Sequence, residues 1–361
     1  MRILFVNPRA YLPQLLGGVE TTTYDLCRQL ILMGHLPAVM CQIWKHDPIW
    51  LRNRLANRLT GRAFPRGQYR GTLVYRGYQH KSALDEVIAD FRPDALVVAS
   101  GHEDSFELAA QCARSRLPSA IYFHDVKSLR ELDSPKRLAG LILLANSSFT
   151  AQAVRKYAGQ EAVLIPPPVD REAYRIVTSR RHVTMVNPRR VKGGQIAFDL
   201  AQACPDIPFM FVEAWHTKDE FVGRLRAAAR HMRNVTWRKP TPDMQSIYSG
   251  TRIQLVPSEC ETWGRVVTEA QAAGIPALAT AAGALPESVG PGGILVEPLA
   301  PITDWIRALR SMWDNHTLYE TLSNRAREHS DRPAAQPSYL AAAFVAALQS
   351  GGASGAQSLH A

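Results

Sequence analysis

Short apolar runs alternate with amphipathic helical stretches along this chain, and the alternation occurs twice. In the first half the runs cover residues 2–7, 38–44, 72–77, 95–100, 119–125, 142–147 and 162–166. Several are apolar at nearly every position, as in ALVVAS, which is the pattern of strands buried on both faces of a parallel sheet. Val19, Leu26, Leu30 and Met33 mark one face of a helix over residues 19–33, and Gly34 and His35 end it. Pro166, Pro167 and Pro168 then interrupt the chain. The alternation restarts, with strand-like runs at 182–187, 209–214, 235–238, 252–258, 276–281 and 293–297. Two successive βα arrays predict an α/β chain of two Rossmann-like, doubly wound parallel-sheet domains facing an interdomain cleft. Ligands of such sheets bind at the carboxyl ends of the strands. The expected domains are 1–168 and 169–335. A C-terminal helix over 336–349 should cross back to the first domain. The Gly/Ser-rich tail at 350–361 reads as disordered.

Composition narrows the class. The chain has 361 residues, 46% hydrophobic and 20% charged, which is globular rather than disordered. No apolar run reaches the ~18 residues of a membrane-spanning helix. The opening MRILFVNPRA lacks a signal-peptide layout. Five cysteines are scattered without a Cys-x-x-Cys pair, which predicts reduced thiols, a cytoplasmic setting and no thiolate metal site.

Charge is concentrated. Lys45 to Lys81 holds nine basic residues and one acid, Asp47, a net of +8, whereas residues 1–170 carry 21 basic and 15 acidic residues, a net of +6. Within residues 50–71, Leu51, Leu55 and Leu59 recur at i, i+4 and i+8 beside Trp50, and Arg52, Arg54, Arg58 and Arg62 fill other positions. A basic amphipathic stretch of this kind lies on an anionic membrane surface. The alternative is a solvated helix packed by its leucines. No nucleic-acid-binding motif accompanies the arginines, so nucleic acid is not an expected partner.

The chemistry concentrates in residues 257–287, PSECETWGRVVTEAQAAGIPALATAAGALPE. A strand ends at Ser258. A loop carries Glu261 and Gly264, and a helix runs from near Arg265 to Ala273 before Gly274. A helix N-terminus with free N–H groups favours a phosphate. Glu269, on the helix, can accept two hydrogen bonds from a vicinal diol such as a ribose. Glu261, in the loop, can bind sugar hydroxyls beyond the phosphates. Two glutamates at this spacing are by themselves common.

The segment resembles the retaining glycosyltransferases of family four, which have the GT-B fold and a signature of Glu, seven residues, Glu. The likeness runs through Glu261, Gly264, Glu269, Ala270, Gly274, Pro276, Gly283, Pro286 and Glu287. It extends to GGVETTTYDLCRQLILMGH at residues 17–35, and to ANSSFTAQAVRKYAG and VLIPPPVD within residues 145–170. It implies a nucleotide-sugar donor, UDP- or GDP-linked, held mainly by the second domain and an acceptor held mainly by the first. It further implies that Gly17 and Gly18 lie near the donor phosphate and the acceptor, and that His124 hydrogen-bonds the donor sugar. Lys192 would neutralise the diphosphate. Trp263, Gly264, Arg265 and Glu269 would line the donor site. The family's phosphate loop has Gly-Arg, four residues, then Lys-Gly. Five residues before Lys192 stands Asn187, so Arg189 or Arg190 would have to supply that charge.

The function implied is retaining, metal-independent transfer of a sugar to a hydroxyl acceptor, without a cofactor. The basic segment points to a lipid-linked or cell-surface glycan precursor and to the inner membrane face. No Asp-x-Asp motif is present, in keeping with metal independence. The alternatives are an inactive sugar-nucleotide-binding subunit and a GT-B nucleotide-sugar 2-epimerase.

Overall fold

A computed structural model describes residues 1–78, 80–213 and 219–357. The chain forms two compact units. One comprises Met1–Pro168 with Pro337–Ala361, the other Val169–Gln336.

The first unit is built on eight strands. These are β1 (Arg2–Ala10), β2 (Leu36–Gln42), β3 (Arg66–Tyr69), β4 (Thr72–Gly77), β5 (Ala95–Ala99), β6 (Ser119–Phe123), β7 (Ile142–Ala145) and β8 (Val163–Leu164). Their order is β3-β4-β2-β1-β5-β6-β7-β8. All neighbours pair parallel except β3, which lies antiparallel to β4. The apolar pattern does not foretell β3. It is one arm of a hairpin whose two-residue turn, Arg70 and Gly71, holds φ at 46° and 85°.

Strand alternation explains the continuous apolar runs. Leu4, Val6, Met40, Leu96, Val98, Ile121 and Phe123 face one core, shared with Leu84, Val87 and Phe91 of the helix His80–Phe91. Ile3, Phe5, Val39, Cys41, Val97 and Tyr122 face the other. That second core takes in Leu26 and Leu30 of the helix Gly18–Leu32, and Phe344 and Leu348 of the helix Pro337–Gln357. Successive residues point to opposite faces and both faces are covered, so neither parity can be polar.

The second unit has six parallel strands. These are β9 (His182–Val186), β10 (Phe209–Val212), β11 (Val235–Arg238), β12 (Thr251–Val256), β13 (Ala277–Thr280) and β14 (Gly293–Val296). The order β11-β10-β9-β12-β13-β14 is the doubly wound one, and it reverses between β9 and β12. In the first unit the reversal falls between β1 and β5.

The differences from the sequence pattern are local. Several strands stop short of their apolar runs, β6 at Phe123 and β12 at Val256, because the backbone there leaves the ladder to form loops. The N–H of His124 already bonds the Ser100 hydroxyl, at 2.8 Å. Residue 214 of the run 209–214 lies outside the described residues. The last helix does not end near residue 349. It continues to Gln357 and takes in most of the segment read as a disordered tail. Gly351 allows this course, since a Cβ there would stand 2.2 Å from Ile142 Cδ1 of β7. Residues 358–361 lie outside the described residues.

Residues 50–71 divide. A helix spans Pro48–Thr60, capped by the Asp47 carboxylate, which accepts the Trp50 N–H at 2.7 Å, and ended by Gly61 at φ 69°. The rest forms a loop and β3. Leu51, Leu55 and Leu59 face solvent, so the alternative of a helix packed by its leucines does not hold. Among the described residues no helix is long and apolar enough to cross a membrane. None of the five cysteines is in a disulfide, and of the five only Cys260 is exposed.

Candidate active site

In the second unit the loops after β9 and β12, the two strands at the reversal, are in backbone contact. The Glu259 N–H donates to the Val191 carbonyl at 3.1 Å. Gly193, at φ 76°, is required there, since a Cβ would stand 1.9 Å from the Pro257 carbonyl oxygen. On this frame Lys192 Nζ meets Glu261 Oε1 at 2.7 Å. The Ser258 hydroxyl donates to the same oxygen at 2.9 Å. A cation and an acid separated by 69 residues thus meet at the carboxyl ends of the two central strands. Ligands of doubly wound sheets bind at this place.

The other cations of the loop after β9 have separate partners. Arg189 Nε donates to Asp219 Oδ2 at 3.0 Å. Burial works to raise the Asp219 carboxyl, but Arg189 and the N–H groups of Val222 and Phe221 hold it below its ordinary value. The Arg190 guanidinium lies 4.7 Å from the Phe221 ring centroid. Both arginines therefore rest against the start of the helix Glu220–Ala229, while Lys192 reaches Glu261. Asn187, where the family pattern has arginine, adopts φ 63°. Asparagine enters that left-handed region more readily than other non-glycine residues.

Gly264, at φ 84°, caps the helix Arg265–Ala272. One turn in, Arg265 Nη2 and Glu269 Oε1 lie 3.2 Å apart. The Tyr248 hydroxyl donates to Glu269 Oε2 at 2.9 Å. All three side chains are buried. Burial, reinforced by the Glu269 charge, pushes the Tyr248 hydroxyl well above its ordinary pKa. Trp263 is also buried and spends its indole N–H on Thr268 Oγ1 at 3.0 Å.

In the first unit, Gly17 caps the helix Gly18–Leu32, which begins beyond β1. His124 follows β6, its ring 4.1 Å from that of Tyr122. With Asn7 and Thr23, these two rings line a small recess at the carboxyl ends of β1, β5 and β6. Asp125 orders the adjoining loop by accepting the Ser100 hydroxyl at 3.0 Å and the Ser128 N–H at 2.7 Å.

Tyr248, Ser258 and Asp219 contact predicted site residues but were not singled out from the sequence. Neither was Glu20, which is buried and paired with Arg9 at 3.1 Å. Burial raises the Glu20 carboxyl and the Arg9 charge opposes the rise. Only Glu20 carried a local signal, as the acid in the first turn after Gly17 and Gly18. The other three are recognisable only once their partners are in place. Among the described residues, one group could hold a metal ion, the consecutive His102, Glu103 and Asp104. There the Asp104 N–H already donates to His102 Nδ1 at 3.2 Å.

Comparison with known proteins agrees with this architecture. Residues 16–173 match the model of Glycosyltransferase Family 4, and residues 197–329 match that of Glycosyl transferases group 1. A D-inositol 3-phosphate glycosyltransferase of Corynebacterium kroppenstedtii is 38% identical over 96 residues, 26% of this chain and 21% of that protein. The chain therefore matches about a fifth of that relative's length. Sucrose-phosphate synthase from Thermosynechococcus elongatus superposes with a TM-score of 0.79 at 15% identity, covering 98% of this chain and 99% of the other. Anabaena Alr3699/HepE in complex with UDP-glucose gives 0.75 at 17% identity, covering 97% and 100%. The two family models fall one on each doubly wound unit, and the chain belongs to the family-four glycosyltransferases of GT-B fold.

Proposed function

We propose that this chain is a retaining glycosyltransferase that moves a sugar from a nucleoside diphosphate sugar to a hydroxyl acceptor, without a metal. The observation that carries the reading is the Lys192–Glu261 contact, 2.7 Å long, between the loops that follow the two strands at the sheet reversal. Lys192 stabilises negative charge growing on the departing diphosphate, together with the N–H groups at the start of the helix Arg265–Ala272. Glu261 positions the sugar, and Glu269 accepts the ribose hydroxyls. The bond between the anomeric carbon and the diphosphate oxygen breaks. The acceptor oxygen bonds that carbon on the same face, and its proton passes to the departing diphosphate. His124 contacts the sugar, and Gly17 and Gly18 approach the phosphate and the acceptor.

A UDP-linked donor is favoured by the UDP-glucose bound to the Anabaena neighbour. The acceptor is a lipid-linked or cell-surface glycan precursor met at the inner membrane face, as the basic segment suggests.

The test is thermal denaturation against nucleoside diphosphates and sugar nucleotides, with Glu269→Gln beside the wild type. A ligand at a hundred times its Kd stabilises by about 2.7 kcal/mol. A shift with one diphosphate, lost in the variant, is the expected result. No shift at millimolar ligand overturns the reading. Asn187 in the place of an arginine favours one rival, an inactive binding subunit. Slow hydrolysis of the sugar nucleotide would exclude it.

A further inference from the structure

The helix Pro48–Thr60 is inside out. A surface helix usually turns its apolar stripe inward. Here Leu51, Leu55 and Leu59 are 60%, 59% and 78% exposed, and no residue of the helix is buried. At about 100° per residue the leucines form one ridge. Ile49, Asn53 and Ala56, the better-covered positions, lie around the other side. There the Asn53 amide donates to the Arg76 carbonyl at 3.0 Å and ties the helix down. The ridge is therefore displayed by an anchored helix.

Its flanks are basic. By the same rotation Arg52 lies on one side of the ridge, and Arg54 and Arg58 on the other. All three are exposed, and among the described residues none has an ion-pair partner. Arg54 lies over Trp50, 5.4 Å from the ring centroid. The acids nearby are occupied elsewhere. Asp47 caps the helix and accepts from Gln14. Asp90 takes Arg62 at 2.7 Å and Arg66 at 2.6 Å. The unpaired cations and the apolar ridge thus share one side, with no acid among them.

We propose that this face is a membrane-docking surface whose partner is an anionic phospholipid bilayer. The helix lies in the plane of the interface. Its three leucines enter the boundary between headgroups and acyl chains, and Arg52, Arg54 and Arg58 contact phosphates. A polyanion without an apolar layer would match the arginines and leave the leucines in water. An apolar partner would strand the arginines. A bilayer surface satisfies both. The surface stands on exposure and charge alone and does not depend on the transferase reading.

The test is sedimentation of the full chain with phosphatidylcholine vesicles and with vesicles containing about a third phosphatidylglycerol. No nucleotide is present, so this result and the donor-binding result fail independently. Two double variants are compared, Leu55→Gln with Leu59→Gln and Arg52→Gln with Arg58→Gln. All four side chains are exposed, so melting temperatures should match the wild type. The expected result is binding to the anionic vesicles only, weakened by about tenfold or more in each variant. The absence of wild-type binding overturns the proposal. So does a leucine variant that binds like the wild type, which would leave a purely electrostatic site for a soluble polyanion. Loss of a dimer in the leucine variant by ultracentrifugation also overturns it, because the ridge would then be covered by a second copy.

Discussion

The Tyr248 hydroxyl donates to Glu269 Oε2 at 2.9 Å, and the carboxylate side chain is only 7% exposed. Arg265 holds the other oxygen at 3.2 Å. The carboxylate is thus oriented from two sides before any ligand arrives. A diol that reaches Glu269 shares these oxygens with Arg265, whose Nε also donates to Oε1 at 3.3 Å, and with Tyr248.

Tyr248→Phe should therefore act beyond simple packing. It leaves one buried carboxylate oxygen short of a donor, a loss of about 1–3 kcal/mol in stability. Nucleoside diphosphate affinity should fall about tenfold, the equivalent of one hydrogen bond. Denaturation and calorimetric titration read the two effects separately. Unchanged affinity would show that Glu269 needs no orientation by Tyr248.

Lys192→Ala should separate stability from turnover. The Lys192–Glu261 pair is partly exposed, so its loss should cost no more than about 1 kcal/mol. Sugar transfer, or slow hydrolysis of the donor, should drop by about a hundredfold or more. An equal loss of activity and stability would reduce Lys192 to a structural ion pair.

Gly193→Ala tests the frame beneath that pair. The residue sits at φ 76°, and a Cβ would stand 1.9 Å from the Pro257 carbonyl. The loops after β9 and β12 must then separate, at about 3 kcal/mol or more. Donor binding should disappear while the first unit keeps its own melting transition.

Acid stability should depend on Asp90. Burial works to raise its carboxyl, but hydrogen bonds from Arg66, Tyr75 and Arg62 overcome this and hold it well below its ordinary value. A depressed carboxyl contributes stability that is present above the unfolded pKa, near 3.8, and is lost as pH falls from there through the folded value. Asp90→Asn should thus be less stable than the wild type near neutrality, and the gap should narrow as pH drops below about 4. Urea midpoints across that range check it. A constant gap would assign the loss to packing.

The central parallel strands write themselves locally as apolar runs, because both faces are covered and neither parity can be polar, whereas the edge strand β11, VTWR, is partly exposed and partly polar. The twofold alternation was legible for that reason, the break at Pro166 to Pro168 because proline continues neither a helix nor a central strand, and the segment from Glu261 to Glu287 only through its resemblance to a family motif. The hairpin arm β3 was not, since Arg-Gly is a weak turn signal and its strand, RGQY, is polar. Helical periodicity assigns Leu51, Leu55 and Leu59 to one face, but whether that face turns inward depends on what packs against it. Likewise Lys192 meets Glu261 across 69 residues, and Tyr248 meets Glu269 across 21. The chain by itself determined its central parallel strands, most of its helices and which residues of each share a face. The tertiary structure alone decided which side chains meet and which faces stay exposed, because those depend on contacts between segments far apart in sequence, which local periodicity does not encode.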